Sequence, residues 1–403
     1  MPTQPAISLE TDNLANQEMV LNFGPQHPST HGVLRVLIKL DGEYVSSAQL
    51  HYGYLHRGIE KLAESKTYDQ FVPVVDRLDY LTSFSNECAY VMAVEKLLGV
   101  EVPLRAQYIR VIMVELNRIA SHLLWLGALG IDLGAITPVM YTLREREVIT
   151  DLMEMVSGAR LTFNFFRIGG VKQDLPDNFR DTARRYLEGE YFQKIKDYDV
   201  LLRNNRIFLA RTKGVGIVSP EMALNYGLSG PSLRGSGIPF DLRKNQPYLV
   251  YDQLDFDIPT GEVGDVYDRY LVRVEELRQS ARIVLQALEK MPEGDIVSGD
   301  SRVFRGRKDK IFNNMESLIQ YCYVAMEGIS VPRGEAYTKI EGPRGEVGFH
   351  IISEGGSMPY RMFMRMPTFI NLTIVQKLIC GRLLADLPAI LGSFDLVMGE
   401  VDK

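Results

Sequence analysis

Pro103-Leu-Arg-Ala-Gln-Tyr-Ile-Arg-Val-Ile-Met-Val-Glu-Leu-Asn-Arg-Ile-Ala-Ser-His-Leu-Leu-Trp-Leu-Gly-Ala-Leu129 carries the clearest periodic signal in the chain. Ala106, Ile109, Met113, Leu116, Ala120, Leu123 and Gly127 recur at steps of three and four, which puts them on one face of a helix. Working outward, Thr137-Pro138 opens a further helix that Gly158 closes, and 68–98 reads as one or two helices stopped by Gly99. A short helix opens near Leu55, and others are expected over 177–202, 265–291, 313–326 and 381–391. The mixed-sign run Arg144-Glu145-Arg146-Glu147 reads as a solvated helix face. Strand-like alternation is confined to the two ends. It runs over 19–23 and 33–40 with a turn at Asp41-Gly42, and over 335–341, 346–353 and 360–366. The order sheet, many helices, sheet, helix predicts a helix-dominant α+β fold. Its expected parts are a flexible N-terminal arm (1–17), a β-sheet region (18–55), and a helical core with C-terminal strands and tail (56–403). The last two form one compact domain.

With 46% apolar residues in 403, the chain can bury a large core, and its net charge of −6 argues against a nucleic-acid partner. No run of about 18 uncharged apolar residues is present, so no membrane span is expected. The polar start shows no signal peptide, and residues 293–312 read as a polar, mobile stretch. Cys88, Cys322 and Cys380 are far apart in sequence, which fits buried free thiols in a reducing compartment and offers no thiolate metal motif.

Three stretches carry chemistry. Asn22-Phe-Gly24-Pro25-Gln-His27-Pro28-Ser-Thr-His31-Gly32 holds two of the six histidines on a stiff turn between two strands. It is either a hairpin whose histidines cap backbone groups or a site of proton chemistry. Asp76-Arg77-Leu78-Asp79-Tyr80 places two acids, an arginine and a phenol in an otherwise apolar helix, where charge must pair or act. Asp132 is one acid inside the largely apolar 124–138; with an imidazole beside it, it would hold the ring and favour its charged form. Other features have plainer readings. The glycines of 227–237 lack the strand–loop–helix context and Lys-Ser/Thr ending of a phosphate cradle. His51 and His56 lack the companions of a zinc site, and His122 reads as a satisfied core histidine.

The 20–35 stretch with its Gly-Pro-Gln-His-Pro-Ser-Thr-His-Gly core resembles the quinone-site subunit of NADH–quinone oxidoreductase, the hydrogenase-like subunit of respiratory complex I. So do Gly53-Tyr-Leu-His-Arg57-Gly58, residues 76–80, Glu115-Leu-Asn-Arg-Ile119, Asp132-Leu-Gly-Ala135, Arg167-Ile-Gly-Gly-Val171, Leu233-Arg-Gly-Ser-Gly237 and Gly355-Gly-Ser-Met-Pro-Tyr-Arg361. The resemblance covers roughly 18–403. That family is related to the large subunit of nickel–iron hydrogenases. The resemblance therefore implies a hydrogenase large-subunit-like helical core in which the former metal ligands fall at Asp79, Thr82, Val397 and Glu400. None of these can supply a soft thiolate, so no nickel is expected.

It implies further that the vacated cavity has become a quinone-head pocket, with His31 and Tyr80 contacting the quinone carbonyls and Asp132 pairing with His31. Arg57 would lie near an iron–sulfur cluster held by the neighbouring subunit, and quinone would be a substrate rather than a resident cofactor. The implied partners are other complex I subunits: the terminal cluster subunit, the adjacent hydrophilic subunit and the quinone-channel membrane subunit. The implied location is peripheral, on the cytoplasmic side of the bacterial plasma membrane. Reduction would leave negative charge that drives rearrangement toward proton pumps. Competing readings are a ferredoxin-fed photosynthetic-type complex, a purely structural bridging subunit and a metal-bearing hydrogenase. The sequence departs from the family pattern at Leu161-Thr162-Phe163, where many members have a histidine, and in the tail after Phe394.

Overall fold

The computed structural model describes residues 7–8, 19–303 and 308–403. The alternating runs near the start pair as a four-stranded antiparallel sheet, β1 (Ile7–Ser8), β2 (Met19–Phe23), β3 (Arg35–Asp41) and β4 (Tyr44–His51). Met19 faces Leu40 and Phe23 faces Val36, so residues 24–34 form the loop that joins β2 to β3. Alternation along β3 buries Val36, Ile38 and Leu40 on one face. Of the expected arm 1–17, Ile7–Ser8 pair with β2, and the remainder lies outside the described residues.

The 68–98 region is two helices, α1 (Tyr68–Val75) and α2 (Ser83–Leu98). A capping box between Thr67 and Gln70 starts α1, and Gly99 in the left-handed region (φ 64) ends α2. Asp76–Tyr80 therefore lies in the break between helices, not inside one as its apolar flanks suggested. The quoted stretch becomes α3 (Leu104–Asp132), which reaches three residues past the expected end. It is buried on nearly every side, against α2, α4 (Thr137–Ser157) and α5 (Val266–Lys290). Several charged groups on its buried faces are paired: Arg110 with Glu95 at 2.6 Å, Arg118 with Glu115 at 3.1 Å and His122 with Glu276 at 2.7 Å. His122 is thus a core residue, as expected, though only half satisfied: Nε2 pairs with Glu276, while Nδ1 has no hydrogen-bond partner among the described residues. The 227–237 loop is structural as well, its buried Arg234 pairing with Glu276 and Glu341.

The C-terminal sheet is the antiparallel β5 (Gly334–Gly342), β6 (Gly345–Ser353) and β7 (Arg361–Arg365), close to the expected strands. It follows helix α6 (Met315–Glu327) and precedes α7 (Pro367–Ile379) and α8 (Asp386–Ser393). Several expectations are corrected. Helix α7 was not anticipated, because its Thr and Ile residues mask a helix that Pro367 opens at its first position. The 177–202 region is broken by π-helical turns at Leu187–Tyr191 and Asp199–Arg203. Glu145 is buried rather than solvated, accepting from Tyr186 Oη at 2.8 Å. Only Cys88 is a buried thiol; Cys322 and Cys380 are exposed. Within 293–312, residues 304–307 lie outside the described residues, and Lys308–Asn313 is helical.

Two apolar clusters organise the molecule. The larger fills the space around α2, α3 and α5; the second lies between the inner face of the first sheet and α7–α8. Leu133, directly after α3, packs against both. That seam positions the site.

Candidate functional site

The loop after β2 is held from within. Gly24 has φ +87, and a Cβ there would meet Leu34 O at 2.1 Å, so only glycine fits. His27 caps a 3-10 turn, Pro28–Thr30: its Nδ1 accepts from Ser29 N at 3.2 Å and its ring packs 4.1 Å from that of Phe23. His27 is thereby committed to the turn. His31 follows the turn in the left-handed region (φ 50, ψ 36), an uncommon conformation for a residue with a side chain.

His31 Nε2 lies 3.2 Å from Asp132 Oδ2, with the two side chains 14% and 5% exposed. The approach is an ion-pair contact rather than an aligned hydrogen bond. Asp132 is the last residue of α3, where the negative end of the helix dipole disfavours a carboxylate. The His31 ring faces the carboxylate at that helix end. Gly392 of α8 closes the back: a Cβ there would stand 3.0 Å from Asp132 Oδ2 and 3.7 Å from His31 Nε2.

Tyr80 occupies the break between α1 and α2. Its neighbours Leu78 and Asp79 are buried, but Tyr80 is 39% exposed, which corrects the expectation of a buried phenol. Its hydroxyl makes no hydrogen bond among the described residues, so it is free to donate to a ligand. Burial of part of the ring, then the charge of Asp79, push its pKa above the ordinary value and keep it protonated at neutral pH. Arg57 is exposed and donates from Nη2 to Arg77 O at 2.9 Å, which ties it to the same break. The His31 loop and the Tyr80 break meet on the short helix Met398–Val401. A Cβ at Gly32 would stand 3.3 Å from the Met398 side chain, and one at Gly399 would stand 2.4 Å from Leu78 O.

The positions implied as former metal ligands lie around one cation, Arg344. Its guanidinium pairs with Asp79 and, at 3.1 Å, with Asp395. Thr82 donates to Asp79, and Val397 O accepts from Glu400 N at 3.1 Å. Burial alone would lower the Arg344 pKa, but Asp395, Asp79 and Glu400 outweigh it and raise it. Burial, then the negative charge of Asp79, push Glu400 up to about 8, and Thr368 donates to its carboxylate. Nearby, burial and then Glu87 push Asp76 up to about 10; these two acids hold the 164–166 segment, whose amides of Asn164 and Phe166 they accept at 2.8 and 2.7 Å. Among the described residues, no group of three or more His, Cys, Asp or Glu is disposed to hold a metal.

Thus His31 and Asp132 are brought together, and Tyr80 and Arg57 share a second locus joined to the first through Met398–Gly399. Sequence reasoning did not find Arg344, Gly392 or Glu87. Arg344 sits in the β5–β6 turn, where exposure is the ordinary expectation. A glycine inside a helix, as at Gly392, does signal close approach.

Residues 132–403 match the family described as respiratory-chain NADH dehydrogenase, 49 Kd subunit. An NADH-quinone oxidoreductase subunit of Rhizobium meliloti (strain 1021) is 52% identical over 395 residues, covering 98% of each chain. The corresponding NADH-quinone oxidoreductase subunit of Geotalea uraniireducens (strain Rf4) is 48% identical over 385 residues, 96% of this chain and 98% of its own. That of Methylacidiphilum infernorum (isolate V4) is 50% identical over 387 residues, 96% and 92% respectively.

Proposed function

The chain belongs to the family of the 49 Kd subunit of respiratory-chain NADH dehydrogenase, part of the NADH-quinone oxidoreductase complex, and from that premise we propose that it forms the quinone-head pocket and protonates the quinone as it is reduced. Conversion of a quinone to a quinol takes up two electrons and two protons. The Tyr80 phenol and the His31 imidazolium each donate a hydrogen bond to one carbonyl oxygen and then a proton. Asp132 orients His31. The electrons come from an iron–sulfur cluster of the neighbouring subunit, beside which Arg57 supplies positive charge. The names of the relatives favour NADH as the ultimate donor. On this reading the chain is one compact hydrogenase-like body, peripheral to the membrane on its cytoplasmic side, and it meets the cluster subunit and the quinone-channel subunit around the pocket. Among the described residues no helix is long and apolar enough to cross a membrane.

The observation that carries the reading is the 3.2 Å His31–Asp132 contact at the seam between the two apolar clusters. Tyr80→Phe tests it. The variant complex is expected to lose roughly 10²-fold in quinone reduction, the usual worth of a positioned acid, while NADH still reduces the clusters at the normal rate. Normal turnover with a native quinone would sink the assignment.

A further inference from the structure

Gly392 and Ser393 end helix α8, and their carbonyl groups point at partners from two other helices. Trp125 of α3 donates from Nε1 to Gly392 O at 2.7 Å. Arg273 of α5 donates from Nη1 to Ser393 O at 2.7 Å and lies 4.5 Å above the Trp125 ring. Arg269, one turn earlier, donates from Nε to Ser393 Oγ at 3.0 Å and stacks on Phe394 at 4.7 Å. Both guanidinium groups are fully buried.

Neither is within ion-pair distance of a carboxylate among the described residues. The remaining bonds of Arg269 go to the neutral carbonyls of Gly264 and Gly216, and Arg273 leaves Nε and Nη2 without a partner among the described residues. Two cations four residues apart in the interior without an ion-pair partner among the described residues are costly, since the more distant carboxylates of Asp265 and Asp268 for Arg269, and of Asp395 and Glu276 for Arg273, do not outweigh burial, and a well-packed apolar pair would serve stability better. Burial pushes the pKa of Arg269 down to about 9 and that of Arg273 down to about 10, which expresses the same cost. What they gain is a hold on the negative end of α8. That end, at Gly392, is the wall against which Asp132 and His31 meet.

We propose that Arg273, with Trp125 and Arg269, is a positioning device: it clamps Gly392–Ser393 and so sets the geometry of the His31–Asp132 pair during quinone reduction. The inference rests on the functional reading above. None of the three residues needs to touch the quinone. Because the clamp is built from the last carbonyls of one helix, a small loosening translates directly into a shift of the His31–Asp132 wall.

The test uses the assembled complex in membranes, carrying Arg273→Met, Arg273→Lys, Trp125→Phe or Asp132→Asn. Rates are expressed per assembled complex, counted by NADH oxidation with an artificial acceptor. Misplacement of the pair is expected to lower kcat for quinone by about tenfold or more in Arg273→Met, with KM little changed and partial rescue in Arg273→Lys. Trp125→Phe keeps a smaller ring under the arginine and loses the N–H donor; it is expected to show a smaller loss of the same kind, and it decides the matter if Arg273→Met does not assemble. A kcat per complex equal to wild type in both Arg273→Met and Trp125→Phe would overturn the clamp, even where assembly itself falls. Normal turnover in Asp132→Asn would instead overturn the functional reading beneath it.

Discussion

Glu400 is a carboxyl group with almost no access to water, facing the charge of Asp79. Its pKa is raised from 4.5 to about 8, so across the interval between those values the folded chain keeps a proton that the unfolded chain has released. The sign follows: the native state binds more protons, and the contribution of Glu400 to stability falls as pH rises, by up to about 1.4 kcal/mol per pH unit. Glu400→Gln keeps an oxygen to accept from Thr368 and removes the titration. Thermal denaturation of the purified complex at pH 6 and pH 8 is expected to show a smaller loss at the higher pH in the variant than in the wild type. Equal losses would mean that Glu400 is already ionised. Asp76 contributes in the same direction over a wider range, and it is present in both proteins, so it cancels in the comparison.

At the scale of elements, α8 meets the end of α3 through one missing methyl group. Gly392→Ala would add a Cβ 3.0 Å from Asp132 Oδ2 and 3.2 Å from Leu129 Cδ1, so both side chains would have to give by a few tenths of an ångström. Alanine is favoured over glycine in a helix by about 1 kcal/mol, which offsets much of the crowding. The expected outcome is nearly unchanged thermal stability of the complex together with a severalfold loss of quinone reduction. Full activity would show that the pair tolerates displacement and would remove Gly392 from the site. Elements of this kind were largely legible beforehand. The step of three and four residues located α3, the Thr137-Pro138 start and Gly158 stop located α4, and glycine turns separated β5, β6 and β7. Helix α7 escaped because β-branched residues dominate a segment whose helicity comes from packing on the first sheet and α8. The break at 76–82 was illegible for a related reason: apolar flanks look alike whether a helix continues or stops.

For the whole molecule, what local pattern cannot show is which distant groups converge. Arg344 meets Asp79 across 265 residues and Asp402 meets Gly53 across 349; both contacts depend on how the two apolar clusters are folded together. His31, Asp132, Tyr80 and Arg57 could be named from their motifs and the family likeness, and that likeness put Val397 and Glu400 beside Asp79 and Thr82, but nothing in the sequence shows that the C-terminal segment supports both loops. In the structure that segment is the common support. Met398 backs the His31 loop, Gly399 backs the Tyr80 break, and Asp402 accepts from Gly53 N and Leu55 N at 2.8 Å each, anchoring the turn that leads from β4 to Arg57. Two charge-assisted, part-buried bonds to backbone amides are together worth on the order of 2–4 kcal/mol. Asp402→Ala would remove both bonds, and so it is expected to lower the denaturation temperature of the complex and quinone turnover together. The contrast with Tyr80→Phe is the point of the measurement: removal of a proton donor lowers turnover alone, whereas removal of the anchor moves every residue of the site at once. Asp402→Ala with wild-type stability and reduced turnover would assign Asp402 to the chemistry rather than to the support. Wild-type values for both would show that Met398 and Gly399 hold the loops without it.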